Sequence, residues 1–330
     1  MDTDTLLRVS SSPHLHSPVT TPRLMRDVLI ALLPALIASV VLFGPRALLL
    51  TAVCVAACVL AEYLSRKVMR RDNTIGDLSA AVTGLLLAFN LPASLPLWMA
   101  VIGCVVAIVV VKQCFGGLGQ NFVNPAIAGR IVLMVSFPTQ MTTWPAPFAY
   151  LSADRAATTA TPLASLPAML ESGAADPAAL PSLTDMLLGN RGGCLGEVCA
   201  LALLLGGVYL IARRVISPII PLCYIGTVAL CMLPATGFDL TLTAYELLSG
   251  GLILGAFFMA TDYVTSPITS KGKVIFAIGC GLITTVIRLF ASLPEGVSFS
   301  IMLMNILVPH IERLTAPKPF GTPKKKEAKA

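Results

Sequence analysis

Charge is what this chain has least of. Of its 330 residues, 12% are Asp, Glu, Lys or Arg and 56% are hydrophobic; the mean hydropathy is +0.83. A soluble domain carries about a quarter charged residues. The shortage excludes a soluble globule and points to a polytopic membrane protein. The nine cysteines include no Cys-x-x-Cys pair, so an iron–sulfur or zinc site within this chain alone is not expected. Cys54, Cys58, Cys104, Cys223, Cys231 and Cys280 lie inside apolar runs and read as small hydrophobic filler. His14, His16 and His310 lack ligand spacing, and no metal site is expected. Walker and dinucleotide fingerprints are also missing. Residues 1–22 are polar, with Ser10-Ser11-Ser12-Pro13, and do not read as a signal peptide. The net charge of +6 owes much to Lys324-Lys325-Lys326, a topology and surface signal rather than a nucleic-acid site.

What the chain has is apolar sequence in ten runs: roughly 26–44, 47–65, 77–91, 96–113, 122–137, 195–212, 216–235, 243–261, 273–291 and 296–312. A full membrane span needs about 20 residues. The third and fifth runs are shorter, and Asn90-Leu91-Pro92 and Asn124-Pro125 interrupt them. Such residues at membrane depth predict broken or partial helices packed inside protein.

Basic residues set the orientation. Arg66, Lys67, Arg70 and Arg71 follow run two, Lys112 ends run four, Arg213-Arg214 ends run six, and Lys271 and Lys273 follow run eight. With both termini in the cytoplasm, all these clusters face inward. The loop 138–194 then faces out, with Asp154, Glu171, Asp176 and Asp185 against Arg155 and Arg191. The expected organisation is a cytoplasmic segment 1–25, a five-span repeat 26–137, an outer loop 138–194, a second repeat 195–312 and a basic tail 313–330. The repeat rests on two pairings. Leu78-Ser79-Ala80-Ala81 resembles Leu248-Ser249-Gly250-Gly251, and Asn121 to Pro125 resembles Asn305 to Pro309. Five spans separate each pair, so the copies face opposite ways, as in an inverted repeat.

Four segments hold candidate chemistry. Thr158-Thr159-Ala160-Thr161 lies in the outer loop and is followed by Pro162-Leu163. Small neighbours leave its backbone open, and Pro162 favours an extended Thr161. A Ser/Thr-x-Ala-Thr sequence is the kind a flavin transferase uses to esterify FMN onto its last threonine. Gly116-Gly117-Leu118-Gly119-Gln120-Asn121-Phe122-Val123-Asn124-Pro125 joins runs four and five. Its glycines permit close backbone approach to a flat ligand, and Asn121 and Asn124, three apart, are expected on one helical face. Asp262, in Met259-Ala260-Thr261-Asp262, ends run eight; an acid there needs a cation or a hydrated cavity. Pro294-Glu295-Gly296-Val297 precedes run ten. Arg130 and Arg288 lie within apolar sequence, so each needs a carboxylate, a carbonyl or an anionic ligand.

In order, these segments resemble the D subunit of the Rnf complex, an ion-translocating ferredoxin:NAD oxidoreductase called Rsx in some bacteria. They are also similar to the B subunit of Na⁺-translocating NADH:quinone reductase. The resemblance covers about residues 20–315. It implies an all-α integral membrane fold of ten transmembrane helices in a five-plus-five inverted repeat. It implies FMN joined through its phosphate to Thr161, with Thr158 and Ala160 matching the attachment signal. A non-covalent riboflavin is implied near Gly116, Gly117, Gly119, Asn121 and Asn124, with Asp262 close by. Other membrane and peripheral Rnf subunits, a flavin transferase and the lipid bilayer are the implied partners. Electron relay coupled to Na⁺ or H⁺ transport in the bacterial inner membrane is the implied role; no residue is catalytic alone. One departure stands out: the usual aspartate six residues before the modified threonine is Arg155 here, with Asp154 one position earlier. A channel or secondary transporter of inverted-repeat architecture is the alternative, and the presence of flavin separates the two.

Overall fold

A backbone in hydrocarbon must satisfy its own N–H and C=O groups, and the α-helix does so within one segment. A computed structural model of the chain describes residues 19–151, 158–159, 161–163, 180–291 and 296–317. These residues form helices and connecting turns. The one departure among them is an isolated β-bridge between Pro145 and Thr158. The helices that position the site are α1 (Thr21–Phe43), α2 (Pro45–Val68), α3 (Ser79–Phe89), α4 (Leu97–Val105), α5 (Pro125–Ser136), α6 (Leu183–Leu188), α7 (Ala200–Ala212), α8 (Ile219–Ala235), α9 (Leu240–Leu248), α10 (Leu252–Leu254), α11 (Ser270–Phe290) and α12 (Val297–Thr315). Wider π-helical turns continue α4 over Val106–Gln113 and α10 over Gly255–Met259.

Each of the ten apolar runs contains helix. By length and composition, four are able to cross a membrane: α1, α2, α11 and α12. The 23 residues of α1 rise about 34 Å, against a hydrocarbon core of about 30 Å. Helices α9 and α10, bent by 64° at Ser249–Gly251, make a fifth crossing if taken as one broken span. Helices α3, α5, α7 and α8, and α4 with its π-helical extension, are shorter. The chain is thus a helical, multi-pass membrane protein.

Local sequence sets the helix starts. Pro22, Pro45 and Pro125 sit in first turns, where a missing N–H costs nothing. Asn124, Asp239 and Thr269 cap α5, α9 and α11 through side-chain oxygens. Leu32, Leu50, Leu87, Phe89, Ile127 and Phe276 are fully buried, while Ile37, Leu60, Leu230 and Phe290 point outward. Apolar residues on both faces are what a bundle in lipid requires. A polar knot fixes three helices: the Tyr224 hydroxyl on α8 lies 2.6 Å from Thr284 Oγ1 on α11 and 2.9 Å from Ser300 Oγ on α12.

Candidate functional site

Functional residues gather at the two ends of α1. At its C-terminal end the loop after α5 folds back: the Phe148 N–H donates to the Leu42 carbonyl at 2.7 Å, and the Tyr150 hydroxyl donates to that of Val41 at 3.0 Å. The Thr159 N–H donates to the Trp144 carbonyl at 3.0 Å, beside the Thr158–Pro145 bridge. Leu163 is buried against Leu180, Leu242 and Tyr245. Thr161, between these anchors, is half-buried. Ala160, Asp154 and Arg155 lie outside the described residues.

Thr161 lines a narrow cavity of about 10 Å³ with Arg191, Glu197 and Gly250. Arg191, 5% exposed, uses neutral acceptors: Nη2 donates to the Glu197 carbonyl at 3.0 Å, Nε to that of Val198 at 3.3 Å, and Nη1 to Met186 Sδ at 3.7 Å. Burial pulls its guanidinium down to about 10, against the opposing field of Glu197. Glu197 Oε1 accepts the Cys194 N–H at 3.1 Å, and its Oε2 is buried without a hydrogen-bond partner among the described residues. Bare backbone at Gly250 and Gly251 leaves room around these charges. A methyl on Gly251 would sit 3.0 Å from Glu197 Oε2 and 3.6 Å from Arg130 Nη1; one on Gly250 would sit 3.4 Å from Arg288 Nη2.

Arg130 and Arg288 both have the partners that apolar surroundings demand. Arg130 Nη1 donates to Asn90 Oδ1 at 2.7 Å and to Ser298 Oγ at 3.1 Å, and Nη2 to Cys194 Sγ at 3.5 Å. Arg288 Nη1 donates to the Glu246 carbonyl at 2.6 Å and pairs with its carboxylate at 3.2 Å; Nη2 donates to the Ser249 carbonyl at 3.1 Å.

At the other end of α1 lies a cavity of about 100 Å³. Leu24 and Met25 of α1 line it with Asn121, Asn124, Phe257, Phe258, Thr261 and Asp262. Asp262 is half-buried. Its carboxylate accepts from Thr265 Oγ1 at 3.1 Å and, at the limit of range, from the Val264 N–H at 3.5 Å. It makes no ion pair among the described residues, so of its two expected settings it has the open cavity.

One expectation needs correction here. Residues 121–124 are not helical, so Asn121 and Asn124 do not share a helical face. Asn124 is instead the cap of α5: Oδ1 accepts the N–H groups of Ala126 and Ile127 at 3.0 and 3.4 Å, and Nδ2 donates to the Met259 carbonyl at 3.3 Å. Pro125 forces this, since the residue before a proline avoids helical backbone. Leu118 of the glycine-rich segment lines the cavity, and Gly116, Gly117 and Gly119 flank it in sequence. All three have positive φ, and a methyl on Gly117 would meet Arg66 Nη2 at 2.5 Å. They shape a tight turn.

Other polar residues were not singled out from sequence as a site. The Lys112 ammonium pairs with Glu62 Oε2 at 2.9 Å and donates to Ser79 Oγ at 2.6 Å. Glu62 Oε1 accepts from Thr74 Oγ1 at 2.8 Å and Gln113 Nε2 at 3.0 Å. Glu62 and Glu246 each stand in an apolar run, the same signal that marked Asp262.

Over residues 8–321 the sequence matches the family described as NQR2, RnfD, RnfE. The chain belongs to that family. It is 50% identical, over 98% of both chains, to the D subunit of the Na⁺-translocating ferredoxin:NAD⁺ oxidoreductase complex of Acetobacterium woodii. It is 43% identical, over 96% of this chain and 97% of the relative, to the D subunit of the proton-translocating ferredoxin:NAD⁺ oxidoreductase complex of Clostridium ljungdahlii. The D subunit of an ion-translocating oxidoreductase complex from Halorhodospira halophila is 37% identical over 94% of each chain.

Proposed function

We propose that this chain is the D subunit of an Rnf-type complex, a membrane component of an ion-translocating ferredoxin:NAD⁺ oxidoreductase. In this reading it carries FMN as a phosphoester on Thr161 and relays electrons in step with Na⁺ or H⁺ transport. The observation that carries the reading is Thr161 itself. It is a half-exposed hydroxyl pinned between Trp144 and Leu163, in a chain half identical to a component of such a complex. The site suits an attached anion, with an arginine and open glycine backbone beside it. Flavin would supply the electron chemistry; the chain's residues bind it, orient it and set its electrostatics.

The inner cavity suits a second, non-covalent flavin. Phe257 and Phe258 offer apolar walls, and Asn121, Thr261 and Asp262 a polar edge. Riboflavin is the flavin we assign there, with Asn124 as a wall of the site.

We read all ten helical runs as spans, related five to five by inversion, with both termini in the cytoplasm and the 138–194 loop in the periplasm. Two parallels support the repeat. Ser79 and Ser249, paired in sequence, each meet a cation from a later helix: Lys112 from the π-helical end of α4 and Arg288 from the end of α11. Each cation is paired with a buried glutamate. The Asn124–Asn305 pairing supports it less, since Asn124 starts α5 whereas Asn305 lies inside α12. Other membrane and peripheral Rnf subunits and a flavin transferase are the partners this role requires, in the bacterial inner membrane.

The test is a flavin fluorescence band after denaturing electrophoresis. Wild type should show it, and Thr161→Ala should abolish it. A band of full intensity in the variant would move the site to Thr158 or Thr159; no band in wild type would favour a channel or transporter without redox function.

A further inference from the structure

Helices α1 and α2 are each long and apolar enough to cross a membrane, so the single residue between them, Gly44, marks a corner at the membrane surface. A cavity of about 500 Å³ opens at that corner, lined by Phe43, Pro45, Arg46, Ala93, Ala146 and Tyr150 among others. Gly44 has a φ of +75°, and a methyl on it would meet Tyr150 Cγ at 2.7 Å; bare backbone there lets the Tyr150 ring close the wall. Arg46 is the one charged side chain among the described lining residues. Its guanidinium is fixed from behind: Nε donates to the Ala93 carbonyl at 3.0 Å, and Nη2 to those of Leu95 and Ser94 at 3.2 and 3.4 Å. Nη1 has no hydrogen-bond partner among the described residues, and the side chain is exposed. On the same helix face, three and seven residues on, Leu49 is exposed and Val53 half-buried. Trp98, three residues past Leu95, is also exposed, as aromatic residues at a membrane–water interface are.

We propose that this corner holds the headgroup of one anionic phospholipid, with the Arg46 guanidinium on its phosphate and the acyl chains against Leu49 and Val53. The charges are complementary: one cation, with carbonyls for its only partners, meets a headgroup of one net negative charge, such as phosphatidylglycerol. The two N–H groups of Nη1 suit phosphate oxygens. Three carbonyl contacts already hold the guanidinium in one orientation, so little side-chain freedom is lost on binding. The walls suit an amphiphile, with Arg46 on one side and Phe43, Pro45 and Tyr150 on the other. Phospholipid headgroups lie at the level of a helix corner in any bilayer, and basic pockets beside membrane helices recognise them.

The experiment takes the intact complex from bilayer discs of phosphatidylglycerol and phosphatidylcholine in equal parts, washes it in detergent and counts retained lipids by native mass spectrometry. Wild type should keep one more phosphatidylglycerol than Arg46→Gln. Titrating the lipid back should show rebinding about fivefold weaker in Arg46→Gln, the equivalent of about 1 kcal/mol, with Arg46→Lys between. Equal retention by wild type and Arg46→Gln overturns the proposal. So does displacement of the extra lipid by inorganic phosphate at the same concentration, which would make this a site for any small anion. Phosphatidylcholine held equally well overturns the assignment to an anionic lipid. Ala146→Trp fills the cavity and leaves Arg46 and its three carbonyls in place. It should lose the extra lipid; a complex that keeps it overturns the proposal even where Arg46→Gln fails to assemble.

Discussion

Two buried charge clusters occupy opposite ends of this bundle, and they are built to different specifications. The inner one is closed around its ion pair, although Gln113 Oε1 is buried without a hydrogen-bond partner among the described residues. Lys112 meets Glu62 and Ser79, and both Glu62 oxygens are taken, by Lys112, Thr74 and Gln113. One cation faces one anion. The outer one is open. It gathers Arg130, Arg191 and Arg288 with Glu197 and Glu246, and among the described residues Glu197 Oε2, Ser249 Oγ and Arg288 Nε are buried without hydrogen-bond partners. Unmet polar atoms are expensive to bury, so they belong where something else arrives. The inner pair reads as a lock between α2, α3 and the end of α4, and the outer group as a socket.

The largest expected effect breaks the lock. Glu62→Ala strands the Lys112 ammonium and should lower stability by about 3–5 kcal/mol. Glu62→Leu with Lys112→Met should recover most of that, because no charge is left stranded. Thermal unfolding of the purified complex reads both; a mild single variant would mean that the cluster is not closed in the membrane.

A smaller effect is expected at Asn124. Asn124→Ala removes the cap of α5 and should cost about 1 kcal/mol. It should also lower the riboflavin extracted from the complex, since Asn124 ties the cavity wall to Met259. Unchanged riboflavin with the same stability loss would leave Asn124 a cap and nothing more.

The smallest stability effect is expected at Asp262. Asp262→Asn keeps an acceptor for Thr265 and should change stability by less than about 0.5 kcal/mol. Electron-driven ion uptake into membrane vesicles should nevertheless fall, because the Asp262 carboxylate in the lining of the inner cavity is gone. Uptake at the wild-type rate would make it an ordinary interfacial acid.

How far the sequence reached follows from the range of each interaction. The ten apolar runs are local signals, and each contains helix. That Arg130 and Arg288 need partners is also local, because an apolar context alone demands it. The partners' identities are not. Asn90 lies 40 residues from Arg130, and Glu246 lies 42 from Arg288; only packing brings them together. The Gly116–Pro125 segment was legible as unusual but not in its reason: positive φ and a proline-bound cap look the same in sequence as access for a ligand. Arg191 was legible as a loop charge; its burial beside Thr161 depends on how the loop returns.

The anchors around Thr161 bear on how any carrier there would work. Thr159 is fastened to Trp144, and Leu163 is sunk among Leu180, Leu242 and Tyr245. Between the two fixed points the chain measures at most about 14 Å end to end. A cofactor on that leash is a docking post rather than a swinging arm. Whatever exchanges electrons with it has to come to the post, and the timing of that visit would belong to the neighbouring protein of the complex.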